Sequence, residues 1–284
     1  MHPSLIITSS IDTTCTIWDI PSLTAKTQLI AHDKEVYDVR FCAKSLDVFV
    51  SCGQDGSVRM FDLRSLEHST IIYEPTAKDD RGTKPSKMTS SRASPLRVAN
   101  SLTNNHQDSN GGRMSPTLAQ QTMSNAPPLL RLATSPHDTH LLATFAAESN
   151  VVRILDVRQP GQALLELRGH GGAVSTVEWS PNRRGLLASG GDDSQVLLWD
   201  LVNSTPSSSN SASASASSST NGGGAGGAGA GAPGAPDKHL SPIANWSCDY
   251  EVGNLSWAPH GGNSSDSGDW LGVSGGRGVW GVKV

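Results

Sequence analysis

Cysteine is scarce in this chain. The four that occur (Cys15, Cys42, Cys52 and Cys248) form no CxxC pair and no Cys/His metal spacing. That pattern excludes a disulfide framework and a zinc module, and makes a reducing compartment the default. No apolar run approaches the roughly 18–20 residues that span a bilayer. The opening stretch MHPSLIITSSIDTT has neither a basic region nor a long apolar core, so it does not read as a secretory signal. Basic charge is not in excess either. Lys and Arg number 22 against 26 Asp and Glu, a net charge of −4, the reverse of a nucleic-acid binder's footprint. The expectation is a soluble, intracellular protein with no metal, no cofactor, no direct nucleic-acid contact and no membrane contact.

Glycine, proline and serine are plentiful but concentrated in two places. Residues 75–126 hold seven Lys/Arg against three Asp and few apolar side chains. Residues 203–240 are almost wholly Ser, Ala, Gly and Pro. Neither segment buries enough apolar surface to offset the entropy of ordering it, so both are expected to be disordered insertions. The run GGGAGG (Gly222–Gly227) satisfies a dinucleotide-loop pattern formally. It has no strand before it and no helix after it, and carries no such function.

An internal repeat organises the remainder. The segment from His32 to Asp62 aligns with that from His170 to Asp200 over 31 positions without a gap. Each contains three short runs rich in Val, Phe and Trp, bounded by Gly, Asp and Ser: Val36–Phe41, Val48–Ser51 and Val58–Asp62, then Val174–Trp179, Leu186–Ser189 and Val196–Asp200. Such runs read as strands joined by hairpin turns, Asp55-Gly56 among them. A fourth run follows each, at Ser69–Tyr73 and at Ile243–Ser247. The segments 5–30, 129–167 and 251–284 fit the template less completely. The count is about four and a half four-stranded units, or about eighteen strands.

Units with a leading His, a Ser, an Asp and a closing Trp-Asp resemble WD40 repeats, the blades of a β-propeller. The dipeptide stands in IWDI and LWDL, with MFDL and ILDV as variants. The spacing of four and then six residues recurs in Thr8, Asp12, Trp18; in Ser51, Asp55, Phe61; and in Ser189, Asp193, Trp199. The stretches SSIDTTCTIWDI, TAKTQLIAHDKEVYDVRF, GSVRMFDLRSLEHSTIIYE, PPLLRLA and ILDVR are similar to one WD40 scaffold family in particular. It comprises the plant anthocyanin and trichome regulators and the animal cullin-4-associated factor related to them. The two insertions resemble those of fungal versions.

The resemblance implies an all-β fold, a WD40 β-propeller that is incomplete here, with about four and a half of an expected seven blades. The expected organisation is blades at 1–74 (the first partial), a disordered basic insertion at 75–126, blades at 127–202, a disordered Ser/Gly/Ala-rich insertion at 203–240, and a last blade with the closing strands at 241–284. Because about twenty-eight strands would close seven blades, the expectation is the C-terminal portion of a longer protein beginning at an internal methionine. The implied function is a non-enzymatic protein-interaction scaffold in the nucleus and cytoplasm. Its implied partners are transcription factors of MYB and helix-loop-helix type, dual-specificity kinases and, alternatively, the cullin-4 adaptor of a RING ubiquitin ligase.

Four groups of residues invite a functional reading. His32/Ser51/Asp55 and His170/Ser189/Asp193 have the residue types of a hydrolytic triad. Catalysis needs one such site, whereas bracing of a repeated blade needs copies, so the sets read as hydrogen-bond networks closed by Trp199 and, more weakly, by Phe61. Thr8, Asp12 and Trp18 are the partial third copy. FDLR and LDVR resemble the WDxR signature of propellers that dock on the cullin-4 adaptor, making Arg64 and Arg158 the candidate contacts. The alternative is that each arginine pairs with a nearby surface carboxylate. Lys78, Arg81, Lys84, Lys87, Arg92 and Arg97 are scattered and read first as a solvated loop. Ser94, Ser115 and Ser241 each precede Pro and are candidate phosphorylation sites.

Overall fold

The computed structural model describes residues 4–75, 126–203, 239–258 and 268–284. Every regular element among them is a β-strand. The first sheet joins β1 (Leu5–Ser9), β2 (Thr14–Asp19) and β3 (Thr24–Ile30) in that order. The second joins β4 (Val36–Phe41), β5 (Val48–Gly53), β6 (Val58–Asp62) and β7 (Ser65–Tyr73). The third is built on β8 (Leu129–Thr134), β9 (Leu141–Ala146), β10 (Val151–Asp156) and β11 (Leu165–Arg168). In the fourth, β12 (Val174–Trp179), β13 (Leu186–Gly191) and β14 (Gln195–Asp200) are followed by β16 (Ala244–Ser247). The fifth holds β17 (Val252–Trp257), β18 (Trp270–Gly275) and β19 (Gly278–Lys283).

Pairing within these meanders is antiparallel. One element was not expected. Strand β15 (His239–Leu240) pairs in parallel with the outer edge of the third sheet, placing Leu240 opposite Leu167. Sequence composition assigns residues 203–240 wholly to an insertion, but Leu240 is 4% exposed and joins the core between the third and fourth sheets. Burial of that one leucine and a free strand edge hold the chain there. The described strands therefore number nineteen, against about eighteen expected.

The turns follow from local chemistry. Asp12, Asp55 and Asp193 each accept the backbone N–H two residues on, from Thr14, Ser57 and Gln195, at 3.0–3.2 Å. The residue after each aspartate is left-handed, with φ of 73° at Thr13, 75° at Gly56 and 61° at Ser194. Only at Gly56 is that conformation free of steric cost.

The sheets stack consecutively, and the core lies between them. Strand β4 packs on β1 and β2, β8 on β4 and β5, β12 on β8 and β9, and β17 on β12 and β13. Cys15, Val36, Phe49 and Phe61 fill the first interface, and Val50, Ile72, Leu132 and Leu142 the second. Phe145, Ile154, Val177 and Trp199 fill the third, and Leu186, Val252, Trp257 and Leu271 the fourth. Face-to-face burial of alternate side chains is what a period-two apolar pattern requires. The result is an incomplete β-propeller. The expected disorder of residues 76–125 and 204–238, and the candidates Ser94 and Ser115 with the six scattered basic residues, lie outside the described residues.

Candidate functional site

The fourth sheet shows the recurrent polar set in its full form. Trp199 Nε1–H donates to Ser189 Oγ at 2.8 Å, and Ser189 lies 2.8 Å from His170 Nε2. The Asp193 carboxylate only accepts, so the ring hydrogen sits on Nδ1, and Nε2 of the neutral ring is left to accept from the Ser189 hydroxyl. Nδ1–H donates to that carboxylate, 3.1 Å from both oxygens. Asp193 also receives the Gly171 backbone N–H at 2.7 Å. Ser189 and Trp199 are fully buried, and the His170 side chain is 1% exposed. Burial alone would raise the Asp193 carboxyl, but bonds from Gly171, His170 and Gln195 hold it below the usual range.

In the second sheet His32 reaches Ser51 Oγ at 2.8 Å through Nε2 and both Asp55 oxygens at 3.0 Å through Nδ1. Phe61 offers no donor to Ser51; it stacks on Phe49 with centroids 5.0 Å apart. A second serine enters instead. Ser57 Oγ donates to Asp55 at 2.8 Å and lies 3.1 Å from His32 Nδ1. Arg59 bridges Asp33 at 2.5 Å and approaches Asp55 at 3.5 Å. Burial pushes the Asp55 carboxyl up, yet His32 and Ser57 outweigh it and pull it far below the carboxylate range. Sequence reading missed Ser57 and Arg59, although Ser two residues beyond a turn aspartate is a recognisable turn signal.

The first sheet carries a reduced copy. Trp18 Nε1–H donates to Thr8 Oγ1 at 2.9 Å, and Asp12 is taken up by Thr14 at 2.6 Å. Asp12 and Trp18 are thus not brought into one chain, and Trp18 is 40% exposed. In the third sheet Thr144 stands at the serine position and donates to the Arg131 carbonyl at 2.7 Å.

Glycine completes the two histidine sets. A Cβ on Gly53 would lie 2.4 Å from the Glu35 carbonyl oxygen and 3.5 Å from the His32 ring. One on Gly191 would lie 2.8 Å from the Ala173 oxygen and 3.0 Å from His170 Nδ1. Those carbonyls accept the N–H of Gln54 and Asp192, each at 2.8 Å.

The geometry of these sets suits bracing better than nucleophilic chemistry. A serine nucleophile needs an open approach to a substrate carbonyl and an oxyanion site. Ser51 and Ser189 are fully buried, and Ser189 has both hydrogen-bonding roles occupied. Among the described residues, no group of three or more His, Cys, Asp or Glu side chains is arranged to hold a metal ion.

Arg64 and Arg158 occupy equivalent turns. Arg64 forks onto Asp62 through Nε at 2.9 Å and Nη2 at 2.6 Å. Arg158 does the same with Asp156 at 3.0 and 2.7 Å. Both backbone N–H groups also donate to their aspartates at 2.9 Å. The arginine bonds hold the Asp62 carboxyl down at about 2 and lower that of Asp156. Each arginine therefore does pair with a carboxylate, as one of the two sequence readings had it, yet the side chains stay 70% and 63% exposed. Asp19 and Asp200, at the same position, cap their turns onto Ser22 and Asn203 instead. Ser241 is exposed between β15 and β16.

Sequence reading also missed the ties between sheets. Asp38 accepts the Leu132 N–H at 2.9 Å, and Trp179 Nε1–H donates to the Ala133 carbonyl at 3.1 Å. Glu178 accepts the Trp257 N–H at 3.2 Å, while the Trp257 indole donates to the Glu178 carbonyl at 3.2 Å. No single-sequence pattern marks a carboxylate that meets a backbone in the next blade.

Residues 24–62 and 161–200 match the WD domain, G-beta repeat. The chain carries WD40 repeats. A WD repeat-containing protein of Saccharomyces cerevisiae is 48% identical over 202 residues, covering 71% of this chain and 33% of that protein. A WD repeat-containing protein of Schizosaccharomyces pombe is 39% identical over 268 residues, 90% of this chain and 54% of that protein. The protein named DDB1- and CUL4-associated factor 7 homolog of Dictyostelium discoideum is 42% identical over 199 residues, 70% of this chain and 46% of that protein. The chain thus spans from one third to just over half the length of these relatives. WD40 proteins bind other proteins, and the matched repeat family is typically non-enzymatic.

Proposed function

We propose that this chain serves as a non-enzymatic scaffold whose WD40 surface holds partner proteins together. The observation that carries the reading is the closed relay from Trp199 through Ser189 and His170 to Asp193, in which the one candidate nucleophile of that sheet is buried and fully bonded. By resemblance, the partners are transcription regulators of MYB and helix-loop-helix type and dual-specificity kinases, met in the nucleus and cytoplasm. A serine-directed fluorophosphonate probe tests the non-enzymatic part. No labelling of the native protein is expected, and labelling at Ser51 or Ser189 would overturn it. Affinity purification of the chain tests the partner classes.

A second reading has its own support: docking on the DDB1 adaptor of a cullin-4 ligase, with the chain as substrate receptor. The name of the Dictyostelium relative points there, and so does the matching geometry of the Asp62/Arg64 and Asp156/Arg158 turns. Charge reversal in Arg64→Glu/Arg158→Glu tests it. Capture of purified DDB1 by the wild type and its loss in the double variant are expected. Undiminished capture would exclude those arginines as the contact.

A further inference from the structure

Arg184 lies in the turn between the first and second strands of the fourth sheet, outside the WDxR-like turns. In an antiparallel meander, that turn emerges at the same end as the turn between the third and fourth strands. Backbone bonds tie the two kinds of turn together: Leu63 N–H to the Asp47 carbonyl, Val157 N–H to that of His140, and Leu201 N–H to that of Gly185, at 2.7–3.0 Å. Arg64, Arg158 and Arg184 therefore share one face.

Arg184 repeats the arrangement of the other two, but across a blade boundary. Its Nε and Nη2 reach the Asp138 carboxylate of the third sheet at 3.0 and 2.5 Å. The arginine is 69% exposed, and the aspartate beneath it 8%. Asp156 beneath Arg158 is likewise 3% exposed. Both of these pairs present the cation to solvent and keep the anion in the protein, whereas Asp62 beneath Arg64 is 34% exposed. The forks engage Nε and Nη2, so the Nη1 hydrogens have no partner among the described residues. The aspartates also fix the side-chain rotamers before any partner arrives, which lowers the ordering cost of docking. Exposed Arg183 and Lys44 stand in the equivalent turns of the fourth and second sheets, and add cationic character.

We propose that Arg184 is a third docking contact, extending the Arg64–Arg158 row across the boundary between the third and fourth sheets toward an acidic protein surface. This inference rests on the adaptor reading, and names that surface as the adaptor's. Carboxylates of such a partner would take the outward guanidinium hydrogens, a geometry that arginine offers and lysine does not.

The test is binding of purified DDB1 to the whole chain, measured by interferometry over a salt series. Arg184→Glu would leave Asp138 buried and repelled, so the informative variant is Asp138→Asn/Arg184→Gln, which removes both charges at nearly constant shape. Its melting temperature checks the fold, and Arg168→Glu on β11 serves as the control at an exposed arginine away from this row. The expected result is about tenfold weaker binding and a shallower salt dependence for Asp138→Asn/Arg184→Gln, with Arg168→Glu unchanged. Wild-type affinity in Asp138→Asn/Arg184→Gln, alongside loss in Arg64→Glu/Arg158→Glu, would overturn the role of Arg184 and leave the adaptor reading standing. No binding by the wild-type chain would overturn both.

Discussion

The Trp199 indole nitrogen sits 2.8 Å from Ser189 Oγ with both residues fully buried, so the serine is the middle link of a relay and not its end. Removing it leaves two orphans, the Trp199 N–H and the His170 Nε2. Ser51 has no indole partner because Phe61 stacks on Phe49, so its removal leaves one. An unsatisfied buried group costs about 1–3 kcal/mol. Ser189→Ala should therefore destabilise by about 2–4 kcal/mol, and more than Ser51→Ala. Urea midpoints of the two variants decide it, and equal losses would refute the relay. In a double-mutant cycle, Trp199→Phe with Ser189→Ala should be less than additive by about 1 kcal/mol.

The same indole-to-hydroxyl bond in the first sheet, from Trp18 to Thr8 at 2.9 Å, is half open to water. Water replaces the lost partner there, so Trp18→Phe should cost less than about 1 kcal/mol. The buried Trp199→Phe should cost about 2 kcal/mol or more, because a donor and packing volume go together. Thermal melts compare them directly.

What the sequence made legible is set by period and spacing. The four-then-six spacing of Ser189, Asp193 and Trp199 places the three across one hairpin, because strand register ties Leu187 to Trp199 and Ser189 to Leu197. Local pattern is enough for that. The histidine joins from nineteen residues upstream of the serine, and the copy at His32 made it visible. Leu240 on the third sheet, Glu178 against Trp257, and Arg184 on Asp138 were not legible. Each depends on a neighbouring blade, and single-sequence periodicity carries no information on which side chains meet across sheets. Phe61 was expected only to weaken its set. Its stacking on Phe49 and the entry of Ser57 arise from that same three-dimensional neighbourhood.

Glycine at Gly53 and Gly191 is required by approach of backbone, since an added methyl would press on a carbonyl at 2.4 and 2.8 Å. The third sheet has Ala146 at the equivalent pair with Leu129, and its sequence has Asn125 where the others have histidine. Gly53→Ala and Gly191→Ala should each cost about 1–3 kcal/mol as strand and ring move apart, with Gly53→Ala the larger. Ala146→Gly should change stability by less than about 1 kcal/mol. Denaturation midpoints of the three variants check the order.

Thiol reactivity separates the cysteines. Burial pushes Cys15 up to about 12 and Cys42 up to about 11, and raises Cys52 well above its usual value. Cys248 is partly exposed. Since the thiolate is the nucleophile, iodoacetamide at pH 8 should label Cys248 in the native chain and leave the other three until denaturant is added. Peptide mass mapping reads the outcome. Rapid native labelling of Cys15 would contradict its place beneath β4.

Asp55 and Asp193 should contribute to acid unfolding of this chain, alongside other depressed carboxylates such as Asp62 and Asp156. The Asp55 and Asp193 carboxyls are held below their ordinary values in the folded state, so the unfolded chain binds protons first as pH falls. The sign follows: their stabilisation is complete above roughly pH 4 and is lost as pH drops toward the folded-state values. Each of these two carboxylates adds at most about 1.4 kcal/mol per pH unit to the slope in that window. Asp193→Asn should lower stability at pH 7 yet flatten the acid limb between roughly pH 4 and 2, and Asp55→Asn should flatten it more, since its carboxyl is the further depressed. Unfolding free energies measured across that range, set against those at pH 7, test both statements. An acid limb of unchanged slope in both variants would mean that other carboxylates drive the transition.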